Sequence, residues 1–359
     1  MKFLLITLEY FPFHGGVAKY YTKMKEFWPS ESSLEVLSSE KKLLSSRGPL
    51  KWRRAFFSIK KMIKRKKVDY LIIGQILPFG SVAYFLYRFF KTPYAIIFHG
   101  LDFSLATRNS WKRFITKKIL KSADKIISAN SYTAQLISDF LGSDSKIKVV
   151  NPGVETEFKS SELIGKSYEN EAALILFSLG RLVRRKGFDQ SIKAIGEILK
   201  QDPSYRILYL IAGQGEAADY LKDLAQEVLG DKWENYIKFL GSINEEEKWA
   251  YLSLSDIFIM PARNIAGDFE GFGIVYLEAN LAKKPVIAGD SGGVRDAVVH
   301  NLNGLVVDPE NSSDIAQAIL KLGGDKKGRE LMGQKAYERV LSDFQWPRLV
   351  KEIYNFLNN

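Results

Sequence analysis

Residues 268–293 read DFEGFGIVYLEANLAKKPVIAGDSGG, and the rest of the chain is organised around them. Glu270 stands in a loop in which Gly271 and Gly273 bracket Phe272. Apolar residues at helical spacing (Ile274, Val275, Leu277, Ala279, Leu281) predict a helix that carries Glu278. Lys283 and Lys284 follow it, where cations complement a helix C-terminus, and Pro285 stops it. Val286-Ile287-Ala288 predicts a short buried strand with a glycine-rich exit, Gly-Asp-Ser-Gly-Gly. Free backbone N–H groups at such a helix start attract an anion, and glycines let a phosphate come close. A carboxylate on each side of that site can accept hydrogen bonds from sugar hydroxyls. The chemistry indicated is a nucleoside diphosphate bonded to a sugar. The same residues taken alone also suit an ordinary loop–helix–strand unit with solvated glutamates.

Glu270-x7-Glu278, with the flanking words EGFGIVYLEA and PVIAGDSGG, resembles the signature of the retaining glycosyltransferases of family 4. The likeness is greatest to the phosphatidylinositol-mannoside mannosyltransferase branch. It implies an α/β GT-B fold: two Rossmann-like, doubly wound parallel-sheet domains facing a cleft, with a C-terminal helix crossing back to the first. The expected division is 1–154 plus the helix 345–359 for the acceptor-binding domain, and 155–344 for the nucleotide-sugar-binding domain.

The 359 residues suggest two domains, and 46% hydrophobic content is enough for real cores. No apolar run approaches the roughly 18–20 residues that cross a bilayer. The opening MKFLLITLEYF reads as a buried strand rather than a signal peptide, because Glu9 interrupts its apolar run. With no cysteine, disulfides, thiolate metal sites and thiol catalysis are excluded, which fits a cytoplasmic protein.

Charge is unevenly spread. Residues 1–150 hold 27 Lys+Arg and 10 Asp+Glu, a net +17, whereas the remainder is −6. Such a field points at an anionic partner, and with no nucleic-acid module present a membrane surface leads. Between Lys41 and Lys67 there are 12 basic residues and no acidic one. Trp52, Phe56, Ile59 and Ile63 recur there at helical spacing, as in basic helices that lie in the membrane interface. A core-facing helix with a basic solvated side is the other reading. Arg108–Lys121 is a second acid-free basic stretch, and Tyr84–Phe90 is rich in aromatics.

Strands are expected at 3–8, 68–74, 94–99, 125–128 and 147–150, alternating with helices, which means a parallel sheet covered on both faces. Gly15 and Gly16 lie between the first strand and a helix from Val17 to Phe27, another place for an anion. The resemblance places them in the family's first glycine loop, with His14 a lesser candidate. His99 ends its strand and precedes Gly100, where relatives have a histidine–glycine pair beside the donor sugar. Asp102 falls where many relatives have an acidic residue. The turn Asn151-Pro152-Gly153 departs from the proline–asparagine–glycine order of many relatives and suits a domain boundary.

A polar linker is expected at about 155–172, then strands at 174–179, 205–212, 237–240 and 257–260. The word GRL-x4-KG (Gly180–Gly187) matches the family, and the resemblance assigns Arg181 and Lys186 to the pyrophosphate. Arg184 and Arg185 fall in its variable interior and are not assigned. Gly213 belongs to a GxGE turn on the nucleotide side, and Ile243 to a turn that cradles the base in relatives. Phe272, Gly273 and Ile274 form the helix start at the donor. Glu270 would hold the donor sugar and Glu278 the ribose.

The expected activity is transfer of a sugar from a nucleotide sugar to a hydroxyl with retention, mannose from GDP-mannose being the first choice. The acceptor would be a membrane-associated lipid or glycan, reached by a protein peripheral on the inner face of the membrane. No metal or other cofactor is expected, since cationic side chains and a helix dipole suffice. A UDP-sugar donor with a soluble anionic or polysaccharide acceptor, a GT-B nucleotide-sugar epimerase, and an inactive membrane-adhering scaffold are the competing readings. Oligomeric state is not legible.

Overall fold

The computed structural model describes residues 1–12, 15–38, 52–156 and 174–359. His14, the basic residues 41–51 and most of the expected linker lie outside the described residues. The chain divides into two compact units, Met1–Gly153 with Trp346–Asn359, and Val154–Gln345.

The first unit is built on strands β1 (Lys2–Ile6), β2 (Ser33–Leu37), β3 (Tyr70–Ile73), β4 (Tyr94–Phe98), β5 (Lys125–Ser128) and β6 (Ile147–Val149). All pair in parallel, in the order β2-β1-β3-β4-β5-β6. The central strands read as unbroken apolar runs because helices cover both faces, and YLII of β3 and YAIIF of β4 are buried at every position. The order reverses between β1 and β3, and open sheets of this kind take ligands at the strand ends beside such a reversal.

The helix Trp346–Asn358 completes this unit. Its Trp346, Val350 and Ile353 are buried with Phe3, Tyr20 and Ile72. The ring of Tyr354 lies edge-on to those of Phe3 and Trp28.

The helix Arg53–Lys66 corrects part of the membrane expectation. Ile59 is in the core, and Trp52, Phe56 and Ile63 pack against it. The apolar stripe at helical spacing therefore faces the sheet, as burial of one helix face against a sheet requires. The aromatics most exposed on this helix and its neighbours are others: Phe57 (58%), Phe89 (72%), Trp111 (69%) and Phe114 (59%). They stand on Arg53–Lys66, Ser81–Phe90 and Ser110–Ser122, with the middle helix packed against the other two.

The second unit has strands β7 (Leu174–Leu179), β8 (Ile207–Ala212), β9 (Ile237–Gly241), β10 (Ile257–Met260), β11 (Val286–Gly289) and β12 (Gly304–Val307). These too are all parallel, in the order β12-β11-β10-β7-β8-β9, which is the Rossmann arrangement. Its reversal lies between β7 and β10. The loops leaving those two strands are the ones that carry Arg181, Lys186 and Glu270.

Candidate active site

Close backbone approaches shape the second unit's strand exits. Gly213 has φ +133°, and a Cβ there would lie 1.9 Å from the carbonyl oxygen of Gly180, so the exits of β7 and β8 touch only because residue 213 has no side chain. The Leu182 N–H donates to the Gln214 carbonyl at 2.9 Å across the same contact. A Cβ on Gly187 would sit 2.0 Å from the Pro261 carbonyl oxygen, and Arg263 N donates to the Arg185 carbonyl at 2.8 Å. These contacts press the turn after β7 against the exit of β10 and direct its cations toward the Glu270 loop.

Glu270 is 8% exposed. Its Oε2 accepts from Lys186 Nζ at 2.6 Å and from Arg185 Nη1 at 2.7 Å. Arg185 Nε also lies 3.1 Å from Asp268 Oδ1. Burial alone would raise the Glu270 carboxyl, but the charges of Lys186 and Arg185 outweigh it and hold it below the usual carboxylate range. The backbone of Glu270 is fixed as well. Its carbonyl accepts from Gly293 N at 2.9 Å, in the glycine-rich exit of β11.

Arg181 is exposed and, with Arg184, Arg185, Glu216 and Asp268, lines a cavity of about 460 Å³. Arg184 stacks over Tyr220 with its guanidinium carbon 3.8 Å from the ring centre.

Gly273, with φ +81°, starts the helix Ile274–Leu281, and no side chain caps that start. A Cβ there would be 2.4 Å from the Tyr276 ring, which is held in place by its hydroxyl donating to the Met260 carbonyl at 2.6 Å. Phe272 is buried against Phe344, with ring centres 5.9 Å apart, and Ile274 is half-buried. Four residues on, Glu278 is 8% exposed, and its Oε1 accepts from Lys248 Nζ at 2.7 Å. Ile243, half-buried, precedes the helix Glu245–Leu254 that carries Lys248.

In the first unit, Gly15 (φ +153°) and Gly16 are exposed at the start of the helix Gly16–Glu26. That helix places Tyr20 and Tyr21 edge-on against the His99 ring, at 4.9 and 5.3 Å between centres. The Tyr21 hydroxyl donates to the Gly74 carbonyl at 3.0 Å and lies 2.9 Å from His99 Nε2. A hydroxyl has one proton, so Nε2–H is the donor to Tyr21 and Nδ1 keeps its lone pair. Burial lowers His99 to a pKa of about 4, so the ring is neutral at pH 7.

Asp102 accepts from the backbone N–H of Gly100 (2.9 Å), Phe103 (3.0 Å) and His99 (3.2 Å). Burial nonetheless raises it to about 6, against the lowering by those backbone N–H groups.

The structure thus gathers Arg181, Lys186, Gly213, Glu270, Phe272, Gly273, Ile274 and Glu278 at strand exits or the helix start of the second unit, and His99, Gly15 and Gly16 at those of the first. Sequence reasoning left out Arg185, Lys248 and Tyr21. Arg185 lies inside a quoted motif and could have been included for its charge alone. Nothing in the sequence ties Lys248 to Glu278, 30 residues away.

Residues 159–339 match the family described as Glycosyl transferases group 1, and residues 28–158 match Glycosyltransferase Family 4. The chain belongs to the group 1 glycosyltransferases. It is similar to the GDP-mannose-dependent alpha-(1-6)-phosphatidylinositol monomannoside mannosyltransferase of Mycobacterium tuberculosis, at 31% identity over 253 residues. That match covers 68% of this chain and 64% of that protein. The corresponding enzyme of Corynebacterium glutamicum, specific in its name for the monoacylated substrate, is 25% identical over 386 residues, 100% of this chain and 98% of its own. Among solved structures, Anabaena HepE in complex with UDP matches with a TM-score of 0.80 at 19% identity, covering all of both chains. Sucrose-phosphate synthase of Thermosynechococcus elongatus matches at 0.78 and 20%, over 99% of this chain and 98% of its own. The fold is GT-B.

Proposed function

We propose that the protein transfers a hexose, mannose from GDP-mannose in the first instance, to a hydroxyl of a membrane-associated lipid or glycan acceptor, with retention of configuration. The observation that carries this reading is the buried Glu270 carboxylate, bridged by Lys186 and Arg185 beside a cavity that Arg181 lines. The leaving diphosphate gains negative charge in the transition state. Arg181, Lys186 and the uncapped helix start at Gly273 stabilise it electrostatically. Glu270 holds the donor sugar's hydroxyls and Glu278 the ribose.

In a same-face attack the leaving phosphate takes the acceptor's proton, so no protein nucleophile is needed. His99 positions the sugar, its neutral ring keeping a lone pair on Nδ1. The named relatives support mannose and a phosphatidylinositol-type acceptor. The exposed aromatics among basic residues of the first unit support docking on an anionic membrane face.

Incubation with GDP-mannose, UDP-glucose and UDP-N-acetylglucosamine beside phosphatidylinositol-mannoside vesicles tests the reading. Mannosylated lipid from GDP-mannose alone is expected, with EDTA leaving turnover intact. An altered nucleotide sugar without free nucleoside diphosphate would mean isomerisation and overturn it. Transfer from a UDP-sugar would move the donor assignment alone.

A further inference from the structure

Lys248 is a buried cation with no part in the mechanism above. It is 6% exposed, on the first turn of the helix Glu245–Leu254. That turn is rigidly set by a reciprocal cap: the Asn244 side chain accepts from Glu247 N at 2.9 Å, and Glu247 returns the bond to Asn244 N at 2.7 Å. Nζ donates to Glu278 Oε1 at 2.7 Å and to Glu245 Oε1 at 2.5 Å. Glu245 Oε1 in turn accepts from Trp249 Nε1 at 3.2 Å, and the ammonium lies 4.8 Å from the centre of that indole ring.

Taking a lysine out of water is costly unless it is paired. Burial alone would lower the Lys248 pKa, but Glu278 and Glu245 carry it above its ordinary value, so the cation persists at neutral pH. The bond to Lys248 uses one oxygen of Glu278 and fixes the plane of the carboxylate. Among the described residues Oε2 of Glu278 has no hydrogen-bond partner. A carboxylate with one oxygen anchored to a cation and the other open is arranged to accept from a neighbouring hydroxyl. The helix bearing Lys248 follows directly on the turn that contains Ile243, so one short segment reaches both the proposed base-facing turn and the proposed ribose carboxylate.

We infer that Lys248 is a positioning residue for the nucleotide ribose: it holds Glu278 with one oxygen turned to the ribose hydroxyls, and through it the protein selects nucleotides that carry them. This rests on the reading of the second unit as a nucleotide-sugar site.

The test compares dissociation constants for GDP and 2′,3′-dideoxy-GDP (and the uridine pair) in wild type and Lys248→Met, by calorimetry. Wild type is expected to favour the hydroxylated nucleotide by tenfold or more, and Lys248→Met to bring that ratio close to one with little change for the dideoxy form. A merely structural role would weaken both nucleotides equally, and a ratio kept in Lys248→Met overturns the inference. A wild type that binds neither pair refutes the nucleotide site itself, whereas one that binds both members of a pair equally overturns the inference alone.

Lys248→Met leaves a buried carboxylate unpaired, so a second comparison guards against misfolding. Glu278→Gln beside Lys248→Met/Glu278→Gln removes that charge from both. The single variant, whose amide still accepts from Lys248, is expected to keep a larger hydroxyl preference than the double. Equal ratios above one would overturn the positioning role.

Discussion

Lys186 Nζ lies 2.6 Å from Glu270 Oε2, two buried residues brought together across 84 positions of sequence. A diphosphate drawn to Lys186 therefore shares that cation, and Arg185, with a carboxylate already in contact with both. With the proposed roles, the pair would set phosphate binding against sugar binding within one cluster. Glu270→Gln is expected to leave the affinity for bare nucleoside diphosphate unchanged or tighter, while transfer falls by about 10²–10³. A parallel loss of diphosphate affinity would show that Glu270 serves the phosphates.

Charge at the diphosphate gives the second expectation. Arg181→Ala or Lys186→Ala should lower turnover by about 10²–10³, the usual cost of one preorganised donor. Arg181 is exposed, so its variant should melt like wild type, whereas Lys186→Ala leaves Glu270 with Arg185 alone and should melt lower. Near-wild-type turnover in both would take these residues out of the mechanism.

His99 and Asp102 make opposite demands on pH. His99 titrates near 4 in the fold and near 6.5 unfolded, so its contribution is present above pH 6.5 and is lost as pH falls toward 4. Asp102 titrates near 6 in the fold against 3.8 unfolded, so it opposes folding increasingly as pH rises between those values. The two slopes offset one another. Urea midpoints at pH 4.5, 5.5 and 6.5 should thus fall with acid in Asp102→Asn and fall with base in His99→Asn, relative to wild type. Identical pH profiles in all three proteins would refute the assignment.

Membrane docking is now expected to depend on Phe57, Phe89, Trp111 and Phe114, because Ile59 and its neighbours face the core. Changing these four to Ser should abolish sedimentation with anionic vesicles at low salt without lowering the melting temperature. Each nearby Lys or Arg adds about 1 kcal/mol of attraction, screened within roughly 8–10 Å, so high salt should weaken wild-type binding. A wild type that ignores anionic vesicles at low salt would leave the basic half to serve a soluble anionic acceptor.

Gly213→Ala tests the loop architecture. The added methyl meets the Gly180 carbonyl at 1.9 Å in a backbone conformation that L side chains rarely adopt. A cost of about 1–3 kcal/mol in stability is expected, together with weaker nucleotide binding, since the exits of β7 and β8 must separate. Unchanged nucleotide affinity would disconnect that contact from the site.

The inner strands were legible because each carries a mostly apolar, mostly buried run. Lys125–Ser128, Leu174–Leu179 and Ile257–Met260 were read to the residue. Ser33–Leu37 and Gly304–Val307 were not, and both are sheet edges. The first carries Glu35 and a half-buried pattern, and the second is four residues opening on glycine, so neither makes a run that stands out. At the site, motif words located Lys186, Glu270 and Glu278. The pairings they make were hidden, because spacing along the chain says nothing of contacts between residues 30 or 84 positions apart. The aromatic stripe at Trp52–Ile63 misled for a related reason: periodicity reveals that a helix has an apolar face, and only packing reveals what that face meets.

The helix Trp346–Asn358 carries a consequence for how the protein is made. Its Trp346, Val350 and Ile353 are part of the same core as Phe3 and Tyr20, so the first unit is closed by residues synthesised after the whole of Val154–Gln345. Val154–Gln345 can bury its own core while still near the ribosome. The first unit has to wait with an apolar face uncovered until Trp346–Asn358 has been made. The window for aggregation or chaperone capture is therefore set by the translation time of the intervening segment, and a nascent chain stalled before Trp346 should expose that face even though both sheets have been synthesised.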